Sequence, residues 1–228
     1  MTTGLRETVL SVINRVERRL GLNASSSLTA TKKSRELLDC LNEVMDEISD
    51  AGDWQEYRRT TVVTAVASTA QYEIAVSGLV KNVREIVYAS APAPLIPVDD
   101  EEIRLLNRVS VIGEPRQFAI TGVNASSGNP NFTVSPVPGS AQASGETFGI
   151  LYYQKPELYT TSNASTVIPF PSNLVLQGLL AKALLIESGG TPTNEYQTAY
   201  AEYLKMRREV NNRFNADVYS YVQFRPRC

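Results

Sequence analysis

Apolar residues recur every three or four positions at both ends of this chain and every second position through its middle. Near the amino end Leu5, Val9, Val12, Ile13, Val16 and Leu20 share one face at helical spacing, and Thr2 or Thr3 is available as a cap. Gly21 and the NASSS run behind it stop this helix. A second helix is predicted over 31–49, with Leu37, Leu38, Leu41, Val44, Met45 and Ile48 as its stripe and Gly52 beyond its end. Two amphipathic helices joined by a short polar loop predict an antiparallel hairpin.

Past Trp54 and Tyr57 the period changes to two. The runs TTVVTAV (60–66) and YEIAV (72–76) flank Ser68-Thr69 and predict a β-hairpin. Another strand is expected over 79–88 and a short helix over 99–106, where Asp99, Asp100, Glu101 and Glu102 crowd the first turn that the helix dipole favours for acids. RQFAIT (116–121), NFTVS (131–135) and 147–153 complete a module of about five or six short strands. Its Gly/Ser-rich loops at 124–130 and 139–145 are placed at hairpin tips. Trp54 and Tyr57, large apolar bodies with polar edges, stand where the period switches and are expected to plug the helix/β junction.

Helical spacing returns after PFPS. Leu174, Val175, Leu179, Ala183, Leu184 and Ile186 make a helix apolar nearly all round, which needs burial on more than one side. Gly189, Gly190 and Pro192 separate it from a last helix carrying Tyr196, Tyr200, Tyr203, Leu204, Val210 and Phe214. From 217 the stripe is lost, and Val218, Val222 and Pro226 predict an extended tail. The fold class that results is α+β. An N-terminal helical hairpin (1–56) and a C-terminal helix pair (157–216) form a four-helix bundle core, an antiparallel β-module (57–156) is inserted between them, and a tail (217–228) extends beyond.

Composition narrows the chemistry. The chain of 228 residues contains no histidine, which removes the commonest general base and the commonest transition-metal ligand. Two isolated cysteines, Cys40 and Cys228, make neither a disulfide framework nor a zinc site, and no glycine-rich phosphate loop occurs. No cofactor and no enzymatic activity are expected. The acids at 99–102 suit a helix amino terminus, with a magnesium site as the rival. No run of apolar residues is long enough to cross a membrane, and the Asn-Ala-Ser triplets at Asn23, Asn124 and Asn163 read as polar loop chemistry.

The net charge of −2 is unevenly distributed. Arg6, Arg15, Arg18, Arg19, Lys32, Lys33 and Arg35 make the first segment basic, an acidic run from Asp39 to Glu56 follows, and the carboxyl end is basic again. Such segregation suits ordered contact with copies of itself or with a charged partner. On the last helix Tyr196, Tyr200, Arg207 and Arg208 either pack or form the rim of a subunit interface. In the tail Tyr219, Tyr221, Phe224, Arg225 and Arg227 are suited to docking on a sheet edge or in a groove of a partner.

Three local features carry a family resemblance: AGDWQEY (51–57) at the exit from the first helix pair, ILYYQKP (150–156) closing the β-module, and PFPSNLVLQGLLAKAL (169–184) leading into a helix. Together with the order of elements they make the chain resemble the head-to-tail adaptor, connector or head-completion proteins of tailed bacteriophages, including gatekeeper-type tail tubular proteins. The resemblance implies a structural protein of the virion neck, assembled in the host cytoplasm, that forms a ring of about twelve copies. It further implies docking of the tail residues to the portal protein, contact with a downstream tail or nozzle protein and with tail fibres, and non-specific passage of genomic DNA through the ring. A receptor- or glycan-binding β-module on a helical stalk is the alternative, on the strength of the Ser/Asn/Gly-rich loops. A magnesium-dependent nuclease is a further one.

Overall fold

A computed structural model describes residues 6–91, 93–109 and 111–222, with side chains as far as residue 212. The chain divides into two compact units, one made by Met1–Glu56 with Pro156–Cys228, the other by Tyr57–Lys155. Helices and sheets are both present, so the class is α+β.

In the first unit α1 (Val9–Arg19) begins at Thr8, whose side chain accepts from the Ser11 N–H. The cap expected at Thr2 or Thr3 lies outside the described residues; helical spacing from Leu5 extended past the true start because Glu7 and Thr8 are in a bridge-like segment. There Ile168 N–H donates to Glu7 O, and the Val9 and Leu10 N–H groups donate to Thr166 O and Ala164 O. α2 (Lys32–Asp50) starts at Thr31, which accepts from the Ser34 N–H at 2.9 Å. α5 (Ser172–Glu187) and α6 (Asn194–Val222) follow the β-rich unit.

α5 is the centre of this unit, because α1, α2 and α6 all pack on it while α1 and α2 touch each other little. Its all-round apolar surface meets that demand: Leu174, Val175, Leu176, Leu179, Ala181 and Ala183 are buried. The close crossing is made possible by Gly178. A Cβ there would lie 2.8 Å from Val44 Cγ1 on α2 and 2.9 Å from the Tyr203 ring on α6. Alanine favours a helix over glycine by about 1 kcal/mol, but overpacking a tight core costs ~1–3 kcal/mol. Gly178→Val is therefore expected to lower the urea midpoint clearly, and Gly178→Ala to destabilise despite its better propensity. A midpoint raised by Gly178→Ala would show that the three helices have slack at the crossing.

One expectation fails at the carboxyl end. α6 continues through Val222, so 217–222 is helical rather than extended. No proline or glycine interrupts Asn194–Val222, and the two valines weigh too little to stop a propagating helix. Residues 223–228 lie outside the described residues.

Among its described residues the second unit holds seven strands in two sheets. β1 (Arg58–Thr64), β7 (Thr147–Gln154) and β3 (Val80–Tyr88) form an antiparallel sheet with β7 in the middle. The other sheet has the order β2 (Gln71–Glu73), β6 (Pro130–Ser135), β5 (Gln117–Val123), β4 (Ile96–Pro97); it is antiparallel except for the β4/β5 pair. The predicted 60–66/72–76 hairpin does not form, since β1 and β2 join different sheets. Ser68, at φ 59°, turns the chain between them, and the Tyr72 hydroxyl closes the turn by donating to Thr69 O at 2.9 Å.

The two sheets share one core. Ile86, Tyr88, Phe148 and Ile150 come from one, Tyr72, Phe118, Phe132 and Val134 from the other. Phe148 joins them, with ring centroids 4.9 Å from Tyr72, 5.4 Å from Phe132 and 5.1 Å from Tyr88. The short helices α3 (Asp100–Arg108) and α4 (Ser140–Ala143) lie in the connections, α3 packing on β5 and β6.

Candidate interaction surface

α6 carries a ladder of rings along one face. Tyr196 and Tyr200 stack at 5.5 Å with 11° between planes, Tyr200 and Tyr203 are 6.2 Å apart, and the Arg207 guanidinium stands 5.5 Å from the Tyr203 ring centre. Burial splits the ladder into an inner and an outer part. Tyr203 is 1% exposed, and its hydroxyl donates to Glu47 Oε2 at 3.2 Å; Tyr200 is 39% exposed and Arg208 is exposed. Desolvation and the nearby Glu47 charge push the Tyr203 phenol up to about 12, with Arg207 opposing them, so it stays a neutral donor. Tyr196, Tyr200, Arg207 and Arg208 are thus placed on one helix with the outer two rings and Arg208 reachable by a partner.

The acidic run of α2 meets a cation inside the same unit. Lys182 of α5 lies 2.8 Å from Glu43 and 2.7 Å from Glu47. Burial disfavours its charge, but hydrogen bonds and Coulomb attraction from the two carboxylates outweigh this and raise its pKa above the ordinary lysine value. Part of the charge segregation seen in the sequence is therefore consumed by packing α2 on α5.

Between α5 and α6 runs an open groove of about 710 Å³. Leu176, Leu180, Leu184, Ala199 and Met206 provide its apolar lining, and Glu195 and Glu202 stand exposed beside it. Gln177 crosses one end, accepting from Arg19 at 3.4 Å and donating to Glu202 at 2.7 Å.

Trp54 is sealed within the helical unit. It is 4% exposed, its Nε1–H donates to Ile48 O at 2.9 Å, and its ring meets Phe170 edge-on at 4.7 Å. The two motifs AGDWQEY and PFPS, more than a hundred residues apart in the chain, are thus in direct contact through these rings. Tyr57 ends a 3₁₀ turn, Gln55–Tyr57, and is half-buried. The side chains of Tyr219 and Tyr221, and all of Phe224, Arg225 and Arg227, lie outside the described residues.

In the β unit the tip loop at 124–129 is tied to β2. The Glu73 carboxylate accepts from Asn124 Nδ2 at 2.6 Å, Ser127 Oγ at 2.6 Å and Asn129 Nδ2 at 2.9 Å, and these bonds hold its pKa below the usual glutamate value. A depressed folded pKa gives stabilisation that is complete above the unfolded glutamate range and is lost as pH falls through the folded value. The loop is expected to loosen as pH falls below the ordinary glutamate range and to be loose at neutral pH in Glu73→Gln. Amide exchange at Ser126 and Gly128 checks this, and protection unchanged by both acid and the substitution would show that backbone bonding alone holds the loop.

The acids at 99–102 are engaged locally. Asp99 caps α3 by accepting from the Glu102 N–H at 2.7 Å, and Asp100 pairs with Arg104 at 2.7 Å. Among the described residues no group of three or more metal-ligating side chains is gathered, and no helix is long and apolar enough to cross a membrane. Asn124 and Asn163 both bond to neighbouring loop groups, Ser126 N–H donating to one and Thr160 N–H to the other.

Sequence reasoning missed Glu17, an acid on the otherwise basic first helix. It is 1% exposed, and its carboxylate accepts from Ser25 N–H at 2.8 Å, Ser25 Oγ at 2.7 Å and Ser34 Oγ at 3.2 Å. The signal was its place on the apolar stripe, one residue after Val16. Asn42 was missed too; it pins the 156–165 segment by a pair of bonds to the Tyr159 backbone at 2.9 and 2.8 Å.

When the chain is compared with known proteins, the family model described as SU10 adaptor protein matches residues 7–225. No curated protein matches it.

Proposed function

The chain belongs to the SU10 adaptor protein family, a family of bacteriophage adaptors, and on that premise we propose that it is the structural ring joining the capsid's portal to the tail. Adaptor membership makes it a virion component associated with other capsid or tail components. The finer reading is a neck ring of about twelve copies, assembled in the host cytoplasm, docked under the portal in the manner of a gatekeeper and extending the DNA channel toward a nozzle protein and fibres. The helices α1, α2, α5 and α6 would act as its four-helix body and the β unit as its tail-side contact.

The observation that carries this reading is the match across 7–225, which includes both units and not one of them alone. The exposed Tyr200 and Arg208 on α6 supply the residue types that subunit interfaces favour. Net charge of −2 is also compatible with a channel that must release DNA, because tight phosphate binding needs concentrated positive charge. In this reading Tyr219, Tyr221, Phe224, Arg225 and Arg227 form an arm that leaves its own subunit to hold a partner.

The test is a phage in which this gene carries a nonsense mutation. Filled heads without tails that lose DNA are expected, and imaging of complemented particles should place a tagged copy at the joint. Tailed, infectious particles made without the protein would end the adaptor reading, and binding of the isolated chain to host cells would favour the receptor-binding alternative.

A further inference from the structure

We propose that the groove between α5 and α6 is the receptor for Phe224 of a neighbouring copy of this chain. The proposal rests on the adaptor reading for the presence of several copies in one place, and it names the partner that the arm holds. Its lining is apolar at Leu176, Leu180, Leu184, Ala199 and Met206, and Glu195 and Glu202 are exposed beside it. A volume of about 710 Å³ is that of a site able to bury a large side chain. The segment that follows α6 reads Phe224-Arg225-Pro226-Arg227, one large ring flanked on its far side by two cations. Apolar ring matches apolar lining, and two arginines match Glu195 and Glu202, the lining cation Arg19 being held by Gln177 at one end.

Chain length decides which copy supplies the segment. α6 is helical to Val222, and the lining residue nearest to that end is Met206, sixteen residues back. At helical rise this separation is about 24 Å. Phe224 is two residues beyond Val222 and reaches at most about 7 Å from it along an extended chain. The helix therefore holds Phe224 away from the groove of its own subunit, and delivery has to come from another copy. Each copy presents one groove and one arm at opposite ends of α6, a head-to-tail arrangement that propagates around a closed ring.

The experiment uses the full chain with a photoreactive benzophenone amino acid in place of Phe224, mixed from isotopically heavy and light preparations. Light is expected to produce adducts at peptides containing Leu180 or Met206 that join heavy to light chains. Glu202→Lys and Arg225→Glu should each lower the adduct yield several-fold, and the two together should restore it, with Trp54 fluorescence confirming that each variant is folded. Phe224→Ala should weaken association between copies by ~10-fold or more. Adducts confined to single chains, adducts to the portal protein alone, or no recovery in the double charge reversal would each overturn the proposal. Adducts between copies of a protein that proves dispensable for joining heads to tails would keep the groove assignment and end the adaptor role. Their absence from a protein that does join them would end the groove assignment alone.

Discussion

Trp54→Ala is expected to destabilise the helical unit by ~3–5 kcal/mol, the range for removing a large aromatic from a packed interior. Two losses combine. The indole fills the space against Phe170 at 4.7 Å, and its N–H satisfies Ile48 O near the end of α2. Trp54→Phe keeps much of the ring but leaves that carbonyl without the indole donor, so a smaller loss of ~1–2 kcal/mol is expected. Since Trp54 is the only tryptophan, the variants have to be followed by circular dichroism against urea and the parent protein by its fluorescence as well. A midpoint unchanged by Trp54→Ala would contradict its burial and return the residue to the role of a surface contact.

Glu17→Ala is the second large effect, with an expected loss of ~2–4 kcal/mol from three hydrogen bonds to one buried charged acceptor, which are not additive. The carboxylate ties the link between α1 and α2 to the first turn of α2, since Ser34 is also the residue whose N–H is capped by Thr31. Without it the buried Ser25 N–H, in a link whose neighbours Ala24 and Ser26 are exposed, keeps the Asn14 side chain at 2.9 Å. Glu17→Gln retains an acceptor but sets an NH₂ group against donors, and should lie between the two. Trp54 fluorescence in urea reports both variants. A loss below about 0.5 kcal/mol for Glu17→Ala, the size typical of neutral surface changes, would mean that water replaces the carboxylate there.

The proposed arm would act on assembly rather than on the stability of its own subunit. The helical course of α6 through Val222 changes what the same residues can do. An extended tail from 217 would have left that segment free to fold back; a helix to Val222 sets its own end about 24 Å from Met206 and the groove. The portal contact inferred from resemblance and the contact between copies inferred from reach are separable by the partner found at Phe224.

By itself the sequence determined most of the elements and the order in which helical and alternating patterns succeed one another. Spacing of Leu37, Leu41, Val44 and Ile48 or of Leu174, Val175 and Leu179 is local information, and each of these residues is buried on the helix where the period places it. The absence of histidine and of phosphate loops was likewise legible without a fold. Pairing was not. A period of two says which side of a strand is apolar but not which strand lies beside it, so β1 and β2, adjacent in the chain, were joined into a hairpin although their partners are β7 and β6. Only the tertiary structure could make Glu17 a buried acceptor, bring Phe170 to Trp54, and make Gly178 the crossing point of three helices, because each depends on residues from different elements brought together by packing. Local spacing encodes faces, whereas the partner of a face is chosen by packing the whole unit at once.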